Sequence, residues 1–251
     1  MHDYMPLSEK TQTIILGSLL GDGSLKIHKP YKNARFAFRH SMKQEEYFRW
    51  KANALKEISG ERDVFTQVGL DGKDGWGGPK LRYQSAALPA LTELYHLVHK
   101  RGQFRIRRKW LNRLTPLSLA IWWCDDGSLV SDTRQGVFCT DGFVRKDVEL
   151  LVQYLKVVWG ITSKIGRVHR PDSTYEQYRI WIRSTAELQK FLRIIIPHIS
   201  VRSMLAKTML LYRDPILQQR WISEVVSLSS FSEETVKAVC EEKKSKRKEY
   251  R

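Results

Sequence analysis

The chain has 251 residues, 42% hydrophobic and 11% aromatic, which is enough apolar mass for one large core or two small ones and too much for wholesale disorder. Its 43 Lys and Arg against 27 Asp and Glu leave a net charge of +16, which suits a polyanionic partner, and nucleic acid is the usual one. Three cysteines (Cys124, Cys139, Cys240) with no CxxC pair support neither a disulfide framework nor a zinc knuckle and point to a reducing compartment, while no apolar run approaches the roughly 18 residues of a membrane span.

The opening MHDYMPLSEK carries neither an apolar signal core nor an Arg/Ser-rich transit pattern. The protein is therefore expected to act where it is synthesised, in an organelle such as a chloroplast or mitochondrion, or in a bacterial or phage cytoplasm. The first helix is expected from an N-cap at Ser8 to Gly21, ended by Asp22-Gly23 with the glycine in the left-handed conformation. Ile14, Ile15, Leu16, Leu19 and Leu20 leave it almost no polar face, so it should be buried on all sides. ARFAFRH (34–40) reads as a strand in which Arg35, Ala37 and Arg39 alternate with Phe36 and Phe38, with His40 extending the polar end. A helix over 41–58 opens with a capping box, Ser41 with Gln44. The glycine-rich stretch 69–80 reads as a hairpin loop; it lacks the Gly-Lys-Ser/Thr of a phosphate loop, and Lys73 stands where a calcium loop needs an acid. LRYQS (81–85) follows as a strand with Arg82 and Gln84 flanking Tyr83, then a helix over 87–100 that carries His96 and His99 with no further ligand in view. Residues 101–114 are strongly basic and join the halves.

The second half runs in the same order. Thr115 caps a helix that starts at Pro116 and runs to Asp125, again closing on Asp-Gly. GVFCT (136–140) is a strand, 144–161 a helix with Val148, Leu151, Leu155 and Val158 on one face, and YRIWIRS (178–184) a strand with Arg179, Trp181 and Arg183 opposite Ile180 and Ile182. Lys164, Arg167, His169 and Arg170 add basic character before it. A helix over 185–196 opens with Ser184 and Glu187 as a capping box, and EEKKSKRKEYR at the end reads as a frayed charge run. Each half thus reads helix, strand pair, helix, strand pair, helix, an α+β pattern. The expected divisions are 8–100, a basic linker 101–114, 115–213, and a helical, charged extension 214–251.

Asp126 follows Asp22 by 104 positions, each at the end of an apolar helix and followed by Gly-Ser-Leu. Gly17 and Ser18 in one helix, and Ser118 and Ala120 in the other, are small enough for the two to lie side by side. That would bring both carboxylates together at the negative ends of two helix dipoles, an arrangement resolved by divalent cations between them. Mg2+ takes oxygen ligands, often one or two carboxylates plus substrate phosphates, and such ions promote phosphodiester hydrolysis. Arg35, Arg39, Arg82, Gln84, Lys164, Arg167, His169, Arg179 and Arg183 form the candidate DNA surface: Arg and Lys can reach guanine edges and Gln adenine, with most contacts going to phosphate.

At Ile15-Leu16-Gly17-Ser18-Leu19-Leu20-Gly21-Asp22-Gly23, and again at Leu119-Ala120-Ile121-Trp122-Trp123-Cys124-Asp125-Asp126-Gly127, the sequence resembles the LAGLIDADG homing endonucleases. LTPLSLAIWWCDDGSL (114–129) looks like the second motif of the double-motif, single-chain, intron-encoded type, and the resemblance spans about residues 8–213. It implies two pseudo-symmetric αββαββα halves whose antiparallel sheets form a saddle over the DNA major groove, in a monomer. It implies metal binding by Asp22 and Asp126, assisted by the backbone carbonyls of Gly21 and Asp125, with Mg2+ or Mn2+ as the cofactor. A Lys or Gln late in each half falls by order and distance at Gln103 and Lys207; Arg101 or Arg105 could serve in place of Gln103. Two other readings of the same fold stay open: an RNA-binding maturase acting on host intron RNA, and a DNA-binding protein without catalysis. The ends lack protein-splicing residues, which favours a freestanding or intron-encoded enzyme.

Overall fold

The computed structural model describes residues 6–67, 78–130, 134–168 and 176–249, so most of the glycine-rich stretch, together with His169 and Arg170, lies outside the described residues. The chain divides into two units, Met1–Trp122 and Trp123–Arg251. The first unit holds α1 (Glu9–Ser18), β1 (Gly23–Lys26), β2 (Arg35–Ser41), α2 (Glu45–Ala54), β3 (Val64–Gln67), β4 (Lys80–Gln84), α3 (Pro89–Val98), β5 (His99–Lys100), β6 (Gln103–Phe104), α4 (Arg108–Leu111) and most of α5 (Pro116–Asp126). The second holds the last turn of α5, β7 (Gly127–Val130), β8 (Gln135–Phe138), α6 (Arg145–Trp159), β9 (Lys164–Val168), β10 (Gln177–Ile182), α7 (Thr185–Ile195), α8 (Arg202–Leu205), α9 (Pro215–Leu228) and α10 (Glu233–Glu249).

Each unit carries one four-stranded antiparallel sheet, in the orders β1-β2-β4-β3 and β7-β8-β10-β9. The register repeats as well as the order: Gly23 stands opposite Phe38, and Gly127 opposite Phe138. The αββαββα plan therefore occurs twice, α+β in class.

Local chemistry explains the motif helices. The Ser8 hydroxyl accepts from the Thr11 amide at 3.2 Å, which starts α1. Regular helix stops at Ser18, three residues before the expected end, because the next turn tightens: Leu20 N–H donates to Gly17 at 3.1 Å and Gly21 N–H to Ser18 at 3.0 Å. Neither Gly23 nor Gly127 takes the left-handed conformation; each is the first residue of a strand. What they supply is room. A Cβ on Gly23 would lie 2.7 Å from the Ser18 carbonyl, and one on Gly127 2.2 Å from the Trp123 ring. The expected side-by-side approach of α1 and the first part of α5 is present inside the first unit. A Cβ on Gly17 would lie 2.5 Å from the Ser118 carbonyl oxygen, and the Ser118 hydroxyl donates to the Thr13 carbonyl at 3.1 Å. Thr115 and Ser118 cap the start of α5 reciprocally, amide to hydroxyl, at 3.2 and 3.3 Å.

Segment 101–114 is folded into the first unit. Arg101 (φ 51) and Gly102 (φ 75) form the two-residue turn between β5 and β6, both left-handed as a type I′ hairpin requires. Trp110 and Leu111 are fully buried, and the Arg107 guanidinium donates to the carbonyls of His96, Leu97 and His99, closing the end of α3. The second core centres on Trp123, edge-on to Phe138 and Phe191 at 5.1 and 5.3 Å. On α6 the buried face uses Tyr154 rather than Val158, which is exposed. The terminal charge run is helical through Glu249, not frayed, and α10 buries Val236, Val239 and Cys240.

Candidate functional site

In the first unit Asp22 sits between the end of α1 and the start of β1. Its Oδ2 lies 3.3 Å from Nδ1 of His40, whose side chain is 1% exposed. His40 is in phase with the core residues Phe36 and Phe38 on β2 and packs against the Phe38 and Tyr47 rings, 5.4 and 5.2 Å between centroids. The expectation of a polar strand end is thereby corrected: a period of two places His40 on the buried face, a signal the sequence contained. Gly21 closes the turn that delivers Asp22.

Asp22 lines one end of a cleft over the sheet, together with Lys26, Arg35, Arg39, Arg82 and Gln84. The register sets Arg39 directly opposite Arg82, and Lys26 opposite Arg35. Like charges paired across strands destabilise a sheet, so the arrangement is explained by an anionic partner rather than by folding. Arg35 lies over the Tyr31 ring at 4.0 Å and Arg82 over Phe65 at 5.3 Å, contacts that stiffen both guanidinium groups without neutralising them.

Gln103 is elsewhere. It is exposed and lines a different concavity, with Lys100, Arg101 and Arg105, and its Oε1 accepts from Arg105 at 2.9 Å. Gln103 begins β6 of the β5–β6 hairpin, a feature that counting residues from the motif does not register. The backbone pattern around Lys207 recurs at Arg113 instead: Lys207 N–H donates to Met204 at 2.9 Å, as Arg113 N–H donates to Trp110 at 2.9 Å. Arg113 is exposed.

In the second unit Asp126 ends α5, half-buried, and its carbonyl accepts from Cys139 N–H at 3.0 Å. Lys207 reaches the same place. Its Nζ donates to the Cys124 carbonyl at 2.6 Å and lies 3.4 Å from the carbonyls of Trp123 and Asp125. A cation on the negative end of a helix is favourable, typically by about 0.3–1 kcal/mol. The Trp123 indole returns a bond to the Lys207 carbonyl at 3.0 Å, fixing the lysine to the helix that carries the acid. Asp126, Lys207, Arg179 and Asp141 all act on the Cys139 thiol, which burial pushes up.

The second sheet face differs. Arg179 is held by Asp141 through two bonds of 2.8 and 2.7 Å, which raise its already high pKa. Lys164 stands opposite Trp181 and shares the face of Arg179. Arg167 stands opposite Tyr178, in the other phase, and pairs with Glu176 at 2.7 Å. Three positions from Lys164 on one strand, it has the opposite parity and does not share the face of Lys164 and Arg179. Arg183 lies past the end of β10, 5.6 Å from the Trp181 ring. That ring covers Gly166, where a Cβ would lie 2.5 Å from the indole nitrogen. His169 is outside the described residues.

The sequence pattern of the LAGLIDADG DNA endonuclease family matches residues 12–191. Among curated proteins, the chain is 28% identical to Protein RecA of Mycobacterium gastri over 208 residues, covering 77% of this chain and 46% of that one. It is 28% identical to cytochrome b mRNA maturase bI2 of Saccharomyces cerevisiae over 204 residues, covering 77% and 46%. It is 24% identical to DNA endonuclease I-ChuI of Chlamydomonas applanata over 189 residues, covering 71% and 85%. The chain spans about half the length of the first two. Its fold is shared with the homing endonuclease I-WcaI, solved bound to its DNA recognition sequence, at a TM-score of 0.70 and 20% identity over 83% of this chain and 90% of that one. Two motif helices, a repeated sheet plan with one register, and a family pattern running through both establish that the chain belongs to the LAGLIDADG DNA endonuclease family.

Proposed function

We propose that the chain is a site-specific endonuclease of the homing type that hydrolyses double-stranded DNA with divalent metal, Mg2+ or Mn2+, bound by Asp22 of the first unit and Asp126 of the second. The observation that carries this reading is the duplication of one acid setting: each carboxylate lies between an apolar motif helix and a strand that begins in the same register. A protein that only bound nucleic acid would need neither acid there, and both are unfavourable next to phosphate unless a cation intervenes.

The donor set fits such an ion. Asp22 and Asp126 offer carboxylates, Gly21 and Asp125 offer backbone carbonyls, and hard divalent cations take oxygen ligands and complete their shell with water and substrate phosphate. When bound, the ion supplies an acidified water and charge to offset the developing phosphorane. The chain's own residues bind and orient. His40 holds the Asp22 carboxylate, Lys207 fixes the end of the helix that presents Asp126, and Arg39, Arg82, Arg35 and Lys26 hold the phosphate backbone. Because one chain carries both halves, it acts as a monomer, and an intron is the expected coding context.

The experiment is selection of cut sequences from a random duplex library in Mg2+, with Ca2+ as the non-cleaving control, followed by Asp22→Asn and Asp126→Asn. Each variant is expected to lose double-strand cleavage by about a thousandfold or more while retaining target affinity in Ca2+. A variant that cuts at the wild-type rate removes that acid from the site. The second reading, an intron maturase, is favoured by the resemblance to the yeast cytochrome b mRNA maturase. It predicts splicing assistance that is indifferent to both acids.

A further inference from the structure

Residues 206–212, which carry Lys207, form no regular helix or strand, yet Thr208, Met209 and Leu210 are fully buried. Buried irregular backbone must find partners for its carbonyls outside itself. Here five consecutive carbonyls do so. Ala206 and Met209 accept from the single ammonium of Lys243, at 2.6 and 3.0 Å. Lys207 accepts from Trp123, Thr208 from Trp221 at 3.2 Å, and Leu210 from Gln218 at 3.2 Å. The other side of Gln218 accepts from the Tyr212 amide at 2.9 Å. Three of these four donor residues come from α9 and α10, helices that follow the repeated αββαββα plan and have no part in it. A further tie, the Arg202–Glu242 ion pair, joins α10 to the short helix α8 just before Lys207.

We propose that α9 and α10 form a clasp that sets Lys207 on the acid-bearing end of α5, with Lys243 as its principal positioning residue. The inference rests on the reading of Asp126 and Lys207 as parts of a cleavage site. Lys243 is half-buried, and its burial is held against its own solvation: it pushes the pKa down to about 7. Charge alone could have been placed on the surface at no such penalty. What the position demands is an ammonium that reaches two carbonyls a turn apart, on either side of Lys207. Lys243 touches neither Asp126 nor the face of the sheet, so its effect on cleavage must pass through the segment it holds.

The test compares full-length wild type with Lys243→Met, which keeps the apolar stem and removes the donors, and with Trp221→Phe, which removes one donor and keeps the ring. Amide hydrogen exchange over 207–212 is expected to quicken about tenfold or more in each, with exchange in β7–β10 unchanged. Single-turnover cleavage of the selected duplex in Mg2+ should fall about tenfold while target affinity in Ca2+ stays constant. In a Lys207→Met background, Lys243→Met should cost no further rate, because the route is already lost. Unchanged exchange in both variants, or a rate loss that adds to that of Lys207→Met, overturns the clasp. Should wild type cut no duplex, the nuclease reading falls, and the exchange measurement still decides the clasp.

Discussion

The two sheets share strand order and register but not surface chemistry, and the contrast is sharpest at matched positions. Where the first sheet has Arg35, Arg39 and Gln84, the second has Gln135, Cys139 and Trp181. Where both keep arginine, at Arg82 and Arg179, the first lies over an aromatic ring and the second is tied to Asp141. The same division separates the surroundings of the acids: Asp22 lies beside a buried histidine, whereas the lysine near Asp126 is bonded to backbone carbonyls at the end of its helix. A duplicated backbone plan has thus been given two binding chemistries. One sheet offers several unneutralised charges, which suit affinity that depends on salt; the other offers a ring, a guanidinium tied to Asp141 and one exposed lysine, Lys164, which suit shape more than attraction.

The largest expected effect breaks that contrast directly. Arg39→Ala with Arg82→Ala should weaken duplex binding about a hundredfold near physiological salt and lower the slope of log affinity against log salt by about 2, since each phosphate contact releases roughly one counterion. Arg179→Ala should change affinity by less than about threefold. Its penalty should fall on folding, about 1–3 kcal/mol, because Asp141, 20% exposed, loses the two bonds from Arg179. Binding isotherms at several salt concentrations, with thermal melts, check both. Equal losses from the two sides would mean that the Asp141 pair opens for DNA and that the sheets are electrostatically alike.

Most of this plan was legible in the sequence. The repeat of Gly-Asp-Gly-Ser-Leu as Asp-Asp-Gly-Ser-Leu, the apolar helices before it and the alternation in ARFAFRH and YRIWIRS suffice for the duplicated fold and both acids. What escaped depends on the phase or the partner of single residues. His40 shares the parity of Phe36 and Phe38, yet a polar residue at a strand end is easily read as solvated. Gly23 and Gly127 are needed for space beside Ser18 and Trp123, a packing fact with no local signature. Gln103, placed by counting along the chain, sits on a hairpin turned by Arg101-Gly102 and lines a concavity separate from that of Asp22. Lys243 lies in a run of charge, where only its tertiary partners, two carbonyls, distinguish it from its neighbours.

The acids' supports give the next effect. On the proposed reading of Asp22 as a metal-binding acid, His40→Ala should raise the Mg2+ concentration for half-maximal cleavage about tenfold, the usual consequence of removing a residue that orients a metal-binding group, with binding in Ca2+ unchanged. The matched residue in the second sheet's half is Thr140, two positions past the end of β8 and buried, whose hydroxyl donates to the Tyr178 carbonyl at 2.6 Å. Thr140→Val should leave the Mg2+ requirement alone and lower stability by about 1 kcal/mol. A metal titration in which both variants behave alike would erase the distinction between the half-sites.

A smaller effect concerns stability against pH. Lys243 has a folded-state pKa of about 7 against an ordinary 10.5, so between these values the unfolded chain holds a proton that the folded chain lacks. Stability contributed at this residue should therefore rise with pH through that window, at up to about 1.4 kcal/mol per pH unit, and be flat below it. Urea unfolding at pH 6, 7.5 and 9 should show this slope in wild type and not in Lys243→Met. The same slope in both proteins would assign it to another group.

The finest test is between two basic residues on one strand. Lys164 and Arg167 are both exposed and three positions apart on β9, and composition cannot tell them apart. Register can. Lys164 pairs with Trp181 and points with Arg179, whereas Arg167 pairs with Tyr178 and is met by Glu176 at 2.7 Å. If the face that carries Trp181 is the one that meets DNA, Lys164→Ala should weaken binding about threefold to tenfold and reduce the salt slope by about 1. Arg167→Ala should leave that slope unchanged, since its charge is already offset and its strand phase turns it away. A reduced slope in Arg167→Ala with none in Lys164→Ala would turn the second sheet over, and with it the assignment of Trp181 and Arg179 to the duplex side.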